Sequence, residues 1–322
     1  MPSRPRIEFQ PVGNLGNQML QLMLAEALQR RWPEVEVGGI HLPDWNLRRE
    51  LTQPLGANRL RLIGQHVDLA LTQKLMTRGI LGELEFAALG FRMAHYLPGA
   101  AYGDLFPRGP ADAPAGLADA LLINVRGAEI LADVHPSYGP IPVTFYRQLV
   151  AQTGLRPIFM GQVGQDPYSD ALRAAFPEAT MLASRGIMGD FELIRAARHV
   201  VVSVSTFSWL AAWLSDAQTI HLPVFGMFNP AQRPDIDLLP VDDARYRFYD
   251  FPVRQWNGSA EQFAALTAPA DYPCFTQAQI RAVLQAANAR LAPGVRSYRR
   301  RLIFRALLNR VAGVGGRVGL AW

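Results

Sequence analysis

The sequence predicts an α/β protein made of two parallel-sheet domains, and three observations carry that reading. At 322 residues, with 49% hydrophobic and 18% charged side chains, the chain can bury two cores of ordinary size. From Leu121 to Val224, strand-like and helix-like runs alternate four times, the pattern of a parallel sheet covered by helices on both faces. The N-terminal region opens on the same unit: a short apolar strand, a glycine-bearing turn and a helix.

Taken in order, Ile7-Glu8-Phe9 reads as the first strand and GNLGNQ as the turn. A helix follows from Met19 to about Trp32, where Leu20, Met23, Leu24, Ala27 and Leu28 share a face and Pro33 blocks continuation. Gly13 and Gly16 let the backbone bend sharply or approach a ligand closely. Asn17 and Gln18 stand where that helix begins, and two amides there either cap it or hydrogen-bond a polyhydroxylated ligand. The turn is neither G-x-G-x-x-G nor a P-loop, so it points to no dinucleotide or ATP. Val35 to Ile40 is a second strand, and Leu60 to His95 reads as helical material. The Pro-, Gly- and Ala-rich passage from Pro107 to Ala120 is the best linker and separates a domain of residues 1–115 from one of 116–270.

Beyond the linker, Leu121 to Val125 is a strand and Pro142 to Gln152 a helix, followed by strand Pro157 to Met160 and helix Tyr168 to Phe176. Strand Ala179 to Leu182 and helix Gly189 to His199 come next. The stretch VVVSVSTFSWLAAWL then passes from a β-branched strand, Val200 to Val204, through Ser203, Ser205 and Thr206 into an apolar helix. The first N–H groups of such a helix lack internal partners and favour an anion, although a strand–Ser–Thr–helix junction is also an ordinary N-cap. Thr219 to Val224 is the last strand, and a Pro-rich polar stretch runs to Gln255. Inside it, Asp235-Ile236-Asp237 matches the D-x-D of metal-dependent sugar transferases but lies between Pro234 and Pro240, away from any strand end, and reads as a surface loop. Residues 271–322 supply C-terminal helices, starting with Thr276 to Leu291 after a short one at Ser259 to Leu266.

One cysteine, Cys274, excludes an internal disulfide and a Cys-based zinc site and fits a reducing compartment, and six histidines show no ligand spacing. With no signal-peptide pattern and no run of 18 apolar residues, the expected location is cytoplasmic. The net charge of +5 is concentrated at the end, where Arg296, Arg299, Arg300, Arg301, Arg305, Arg310 and Arg317 alternate with Leu302, Ile303, Phe304, Leu307 and Leu308. That is a basic amphipathic helix, which either lies on anionic lipid at the inner face of the membrane or docks on its own protein. Aromatic and basic residues do not interleave as in a nucleic-acid module, so no nucleic-acid partner is expected.

Read together, four stretches resemble the α-1,2-fucosyltransferase family. GNLGNQM (Gly13 to Met19) is similar to its GGLGNQMFQ opening, and NVRGAEI (Asn124 to Ile130) falls where the family has H-x-R-R-x-D. HPSYGPIPVTFYRQLV (His135 to Val150) looks like the following segment, and GDFELIRAARHVVVSVSTFSWLAAWLS (Gly189 to Ser215) resembles the block containing S-N-S-S-F-S-W-W-A-A-W-L. The likeness covers about Ile7 to Trp32 and Leu121 to Leu222.

The resemblance implies a GT-B architecture, with two facing Rossmann-like domains and a cleft between them. It also implies a GDP-fucose donor bound by the second domain, inversion at the anomeric carbon, no cofactor and no metal. The acceptor would be a glycan or lipid-linked glycan in surface-polysaccharide synthesis. By position, Arg126 contacts the pyrophosphate, Ser203, Ser205, Thr206 and Phe207 form the donor side, and Gly16, Asn17 and Gln18 face the cleft. Glu129, Asp133 and His135 cluster after the same strand as Arg126. Each of the three reads first as a salt-bridge or helix-cap residue of a solvated loop; for the acceptor proton, Glu129, standing for an acidic motif residue, is the favoured general base, and His135 is placed on the acceptor side. The chain departs from the family at Asn124 for the motif histidine, Gly127 for the second arginine and Met160-Gly161-Gln162 for an acidic F-S-D-D segment. These departures keep open another nucleotide-sugar donor, or a non-catalytic glycan-binding or membrane-tethering protein.

Overall fold

The computed structural model describes residues 4–110, 112–132 and 134–320. They divide into two α/β units: Met1–Phe106 with Pro234–Leu238 and Ala286–Trp322, and Pro107–Arg233 with Leu239–Gln285. The chain first crosses between them where the Pro-rich passage begins, at Phe106 and Pro107, before the expected boundary at 115. The terminal segment expected as a separate piece, 271–322, is shared between the two units.

The first unit contains β1 (Arg6–Phe9), α1 (Leu15–Arg31), β2 (Glu36–Gly38), the hairpin β3 (Ile40–Leu42) and β4 (Leu47–Arg49), β5 (Leu60–Gly64), α2 (Leu69–Thr77) and β6 (Glu83–Ala88). A strand from Gly316 to Gly319 completes a parallel sheet in the order of that strand, β5, β6, β1, β2. The segment from Leu60 to His95, expected as helix, therefore supplies two strands and one helix. Leu60 and Leu62, like Leu84 and Phe86, are buried two apart, the strand period. Charges between them obscure the pattern: Glu85 is buried in β6 and ion-paired by Arg59 and Arg61 at 2.7 and 3.2 Å.

The second unit follows the expected alternation: β7 (Ala120–Val125), α3 (Ala128–Ala132), α4 (Val143–Thr153), β8 (Arg156–Gly161), α5 (Pro167–Ala175), β9 (Thr180–Met181), α6 (Gly186–Ala196), β10 (His199–Val201), α7 (Thr206–Trp213), β11 (Thr219–Val224), β12 (Tyr246–Asp250) and α8 (Ala260–Ala265). All six residues of β7 are buried, as helices on both faces require. The sheet order is β9-β8-β7-β10-β11-β12, all parallel, the Rossmann order with β7 as its first strand. β12 lies within the stretch read as a polar loop, where Tyr246 and Phe248 bury one face of a strand surrounded by prolines. β10 is shorter than expected: it ends at Val201, and a tight turn follows in which the Ser205 amide donates to the Ser203 carbonyl at 2.7 Å.

The chain finishes with α9 (Gln277–Ala312), which runs through Pro293, and β13 (Gly316–Gly319). Leu291 and Tyr298, on either side of the proline, are both buried, so packing overrides a residue that breaks unsupported helices. Asp235 and Ile236, expected in a surface loop, are buried instead. Asp237 is held by the first unit: its amide donates to Phe91 and its carbonyl accepts from Met93, each at 2.8 Å. Among the described residues no helix is long and apolar enough to cross a membrane.

His221 in β11 gives the second unit a built-in pH response. Burial, reinforced by His199 and Arg247, pushes its pKa down to about 4, and its Nδ1 meets the Tyr249 hydroxyl at 2.8 Å. The native state holds the ring neutral while the unfolded chain takes up a proton below pH 6.5. Stability is therefore complete above pH 6.5 and is lost as pH falls toward 4, by roughly 3 kcal/mol from this one group. His221→Asn, which keeps a polar atom toward Tyr249, should flatten that part of a urea-denaturation series against pH. A slope unchanged between pH 6.5 and 4 would remove His221 as its source.

Candidate functional site

In a sheet of this order, β7 sends the chain one way through β8 and β9 and the return at β10 sends it the other way. The carboxyl ends of β7 and β10 therefore flank the crevice where ligands of such sheets bind. Arg126 follows β7, and the Ser203–Thr206 turn follows β10, so the topology brings together two stretches far apart in sequence.

The Arg126 guanidinium is held on three sides. Nη1 donates to the Val204 carbonyl at 2.7 Å, Nε donates to Glu129 Oε1 at 2.8 Å, and Nη2 donates to the same oxygen. Its flat face lies over the Tyr138 ring, 4.8 Å from the centroid. Of its five N–H hydrogens these contacts use three, leaving one on each terminal nitrogen, a pair suited to phosphate oxygens. Because the Val204 carbonyl immediately precedes Ser205 and Thr206, the arginine and the first turn of α7 are fixed against each other.

The three hydroxyl positions divide. Ser205 is the N-cap of α7, its Oγ accepting from the Phe207 amide at 3.2 Å. Thr206 and Phe207 open the helix half-buried, with Phe207 packed edge-on to Phe191 at 5.5 Å. Ser203, expected to meet the donor, is 1% exposed and faces inward. Its Oγ donates to Asn124 Oδ1 at 2.6 Å and lies 2.9 Å from Ser208 Oγ. The tight turn produces this by directing Ser203 into the protein while Ser205 is left to cap. Ser203 and Asn124 thus join the ends of β10 and β7 beneath the surface that carries Arg126.

Glu129 is the ion-pair partner of Arg126 and 48% exposed, with its second oxygen unused by that pair. His135 is exposed; its Nδ1 accepts from the Ser137 amide at 3.0 Å and its ring packs on Tyr138 at 4.9 Å. That bond assigns the neutral ring's proton to Nε2. Tyr138, which sequence reasoning did not single out, lies between His135 and Arg126 and orders both. Asp133 lies outside the described residues.

The departures at Gly127 and Gly161 have steric causes. A Cβ on Gly127 would come 2.9 Å from the Gln162 carbonyl, and one on Gly161, at φ +95°, would come 2.5 Å from the Val125 carbonyl. Gln162 takes part in this close contact, its Oε1 accepting from the Gly127 amide at 3.1 Å. Further along the same sheet, at the carboxyl ends of β11 and β12, Phe225, Phe251, Trp256 and Tyr272 line a cavity of about 220 Å³ that also holds Arg254 and Asp271.

In the first unit, α1 begins at Leu15, so Gly16, Asn17 and Gln18 lie within its first turns and not before it. Gln18 closes the turn by donating to the Gly13 carbonyl at 2.9 Å. Gly13 sits at φ +71°, a left-handed backbone that L side chains rarely adopt, and a Cβ there would also displace Asn17 Nδ2, 2.2 Å away. Sequence reasoning missed Gln21, which is 3% exposed. Its Nε2 donates to Gln10 and Ala88 carbonyls at 3.0 and 2.9 Å, and its Oε1 accepts from the Val12 amide at 3.3 Å. It also missed His66 beyond β5, whose pKa burial and then the Arg92 charge push down to about 4, leaving a neutral imidazole.

No family model and no curated protein matches the sequence. Solved structures that do match include Arabidopsis thaliana FUT1 in a mutant complex with GDP, at 13% identity and TM-score 0.42 over 68% of this chain and 70% of that one. Another is the iron-containing dodecameric glycosyltransferase TibC of enterotoxigenic E. coli, at 13% identity and TM-score 0.38 over 90% and 77%. At these scores the fold assignment rests on the two sheets themselves.

Proposed function

We propose that this chain is an inverting, metal-independent glycosyltransferase that moves a sugar, L-fucose from GDP-fucose in the first instance, onto a glycan hydroxyl. The observation that carries the reading is Arg126, fixed at the crossover of a Rossmann-order sheet against the carbonyl that precedes α7. Cleaving a sugar–diphosphate bond builds negative charge on the leaving group. A permanently charged guanidinium beside a capped helix start stabilises that charge without reorganising. Glu129, already on the arginine, has an oxygen available for the acceptor hydroxyl proton. The aromatic cavity with Arg254 and Asp271 offers apolar walls for a sugar ring and polar groups for its hydroxyls.

Thermal shift with GDP, UDP, CDP and ADP in EDTA tests the donor site. A nucleotide at a hundred times its Kd should add about 2.7 kcal/mol, a rise of several degrees, with GDP giving the largest. If none of the four raises the melting temperature, the donor assignment is wrong. A second reading keeps the enzyme class but changes the donor. It is favoured by Gly127, where crowding against Gln162 excludes a second arginine, and a donor-hydrolysis panel separates the two.

A further inference from the structure

The basic tail was open to two readings, docking on its own protein or lying on lipid, and α9 provides a separate face for each. Tyr298, Leu302 and Ala306, spaced by four, are fully buried. The same side is tied to the first unit by Arg299 Nε on Asp68 Oδ2 at 2.5 Å and by Asn309 on the Asn58 carbonyl. At 3.6 residues per turn, Ile303, Phe304, Leu307 and Val311 fall on the opposite side of the helix. They are 40, 60, 44 and 85% exposed, and Val314 just beyond the helix is 49% exposed.

This outward strip is set among positive charge. Arg296 and Arg300 share its face, and Arg310 and Arg301 flank it on the two sides, all exposed. From Tyr272 to the end the sequence has nine arginines and no aspartate, glutamate or lysine, more positive charge than the whole chain's net +5. An apolar stripe bordered by arginines, with no carboxylate on the same element, complements a surface that is negative outside and apolar beneath.

We infer that the outer face of α9 seats on an anionic lipid bilayer, with Phe304, Leu307 and Val311 entering the headgroup–acyl boundary and Arg296, Arg300 and Arg310 meeting lipid phosphates. The inference does not depend on sugar transfer, because no residue of this face belongs to the candidate donor site. A second copy of the chain is the competing occupant, but it would bring the same arginines against themselves, whereas a phosphate surface brings opposite charge.

Flotation of the full-length chain with vesicles of phosphatidylcholine alone, and of phosphatidylcholine with phosphatidylglycerol, tests this. Binding to the anionic vesicles should exceed that to the neutral ones by roughly tenfold or more and fall steeply with salt. Combined Phe304→Ser, Leu307→Ser and Val311→Ser should lower it by roughly tenfold while leaving the melting temperature and nucleotide shifts unchanged. Should that variant misfold, Arg300→Glu with Arg310→Glu, both solvent-facing, gives the same readout. Equal binding to both vesicles, binding to neither, or full binding by the folded variants would each overturn the inference. So would a dimer that the serine variant dissolves in a chain that ignores anionic vesicles.

Discussion

Replacing Arg126 with alanine is expected to lower kcat/KM for the nucleotide-sugar donor by roughly 10²–10³, or about 2–4 kcal/mol, the cost of removing one preorganised donor from a developing oxyanion. The loss should fall mainly on kcat, because charge on the diphosphate grows as the sugar departs. Arg126→Lys separates charge from geometry. A lysine keeps the positive charge but cannot reach Val204, Glu129 and a phosphate together, nor lie flat on Tyr138, so it should recover only part of the rate. The fold should tolerate both changes, since the Glu129 pair is exposed and only the single hydrogen bond to the Val204 carbonyl is part-buried. Ser205→Ala with Thr206→Ala should act in the same direction by loosening the start of α7. Steady-state kinetics that leave kcat/KM of the alanine variant within threefold of wild type, with the melting temperature preserved, would show that Arg126 serves structure alone.

Arg126 was legible because it follows a buried run read as a strand, Leu121 to Val125, at the carboxyl end where such sheets bind ligands, and because it stands at the position of the family's motif arginine. The α7 junction was legible on the same terms. What could not be read were contacts that depend on how loops return. Tyr138 meets Arg126 through a segment whose path no local pattern sets. Ser203 and Asn124 are 79 residues apart, and only the parallel pairing of β10 with β7 makes them neighbours. The direction of Ser203 turns on one tight bend, so a reading by residue type assigned it to the ligand. Within the first unit, Arg61, Glu83 and Glu85 masked two strands because a charge that finds its partner in tertiary structure looks like solvent exposure in sequence. β12 was hidden by its proline-rich surroundings, although its own aromatic alternation was present. The proline in α9 misled in the opposite sense, since tertiary packing outweighed a local breaker.

The largest stability effect is expected at Gln21, which sequence reasoning did not single out. Its amide joins the carboxyl ends of β1 and β6, adjacent strands at the point where the first sheet's connections diverge, and also holds the turn that carries Gly13. Gln21→Leu keeps the volume but leaves two buried carbonyls and one amide without this partner, and should destabilise the first unit by about 2–4 kcal/mol. A packing role would predict almost no change from a leucine of similar size. Gln21→Glu sharpens the distinction. An ionised carboxylate can still accept from Val12 but cannot donate to Gln10 or Ala88, and it places negative charge against two carbonyl oxygens. It should therefore cost more than leucine at neutral pH and recover toward the leucine value in acid as the carboxyl gains a proton. Urea midpoints and amide exchange across β1 and β6 report on this locally, without requiring the two units to unfold together. Exchange rates in both strands that match wild type in the leucine variant would mean the three bonds contribute nothing net. Faster exchange confined to these strand ends and the Gly13 turn would establish Gln21 as the residue that holds the carboxyl ends of β1 and β6 in shape.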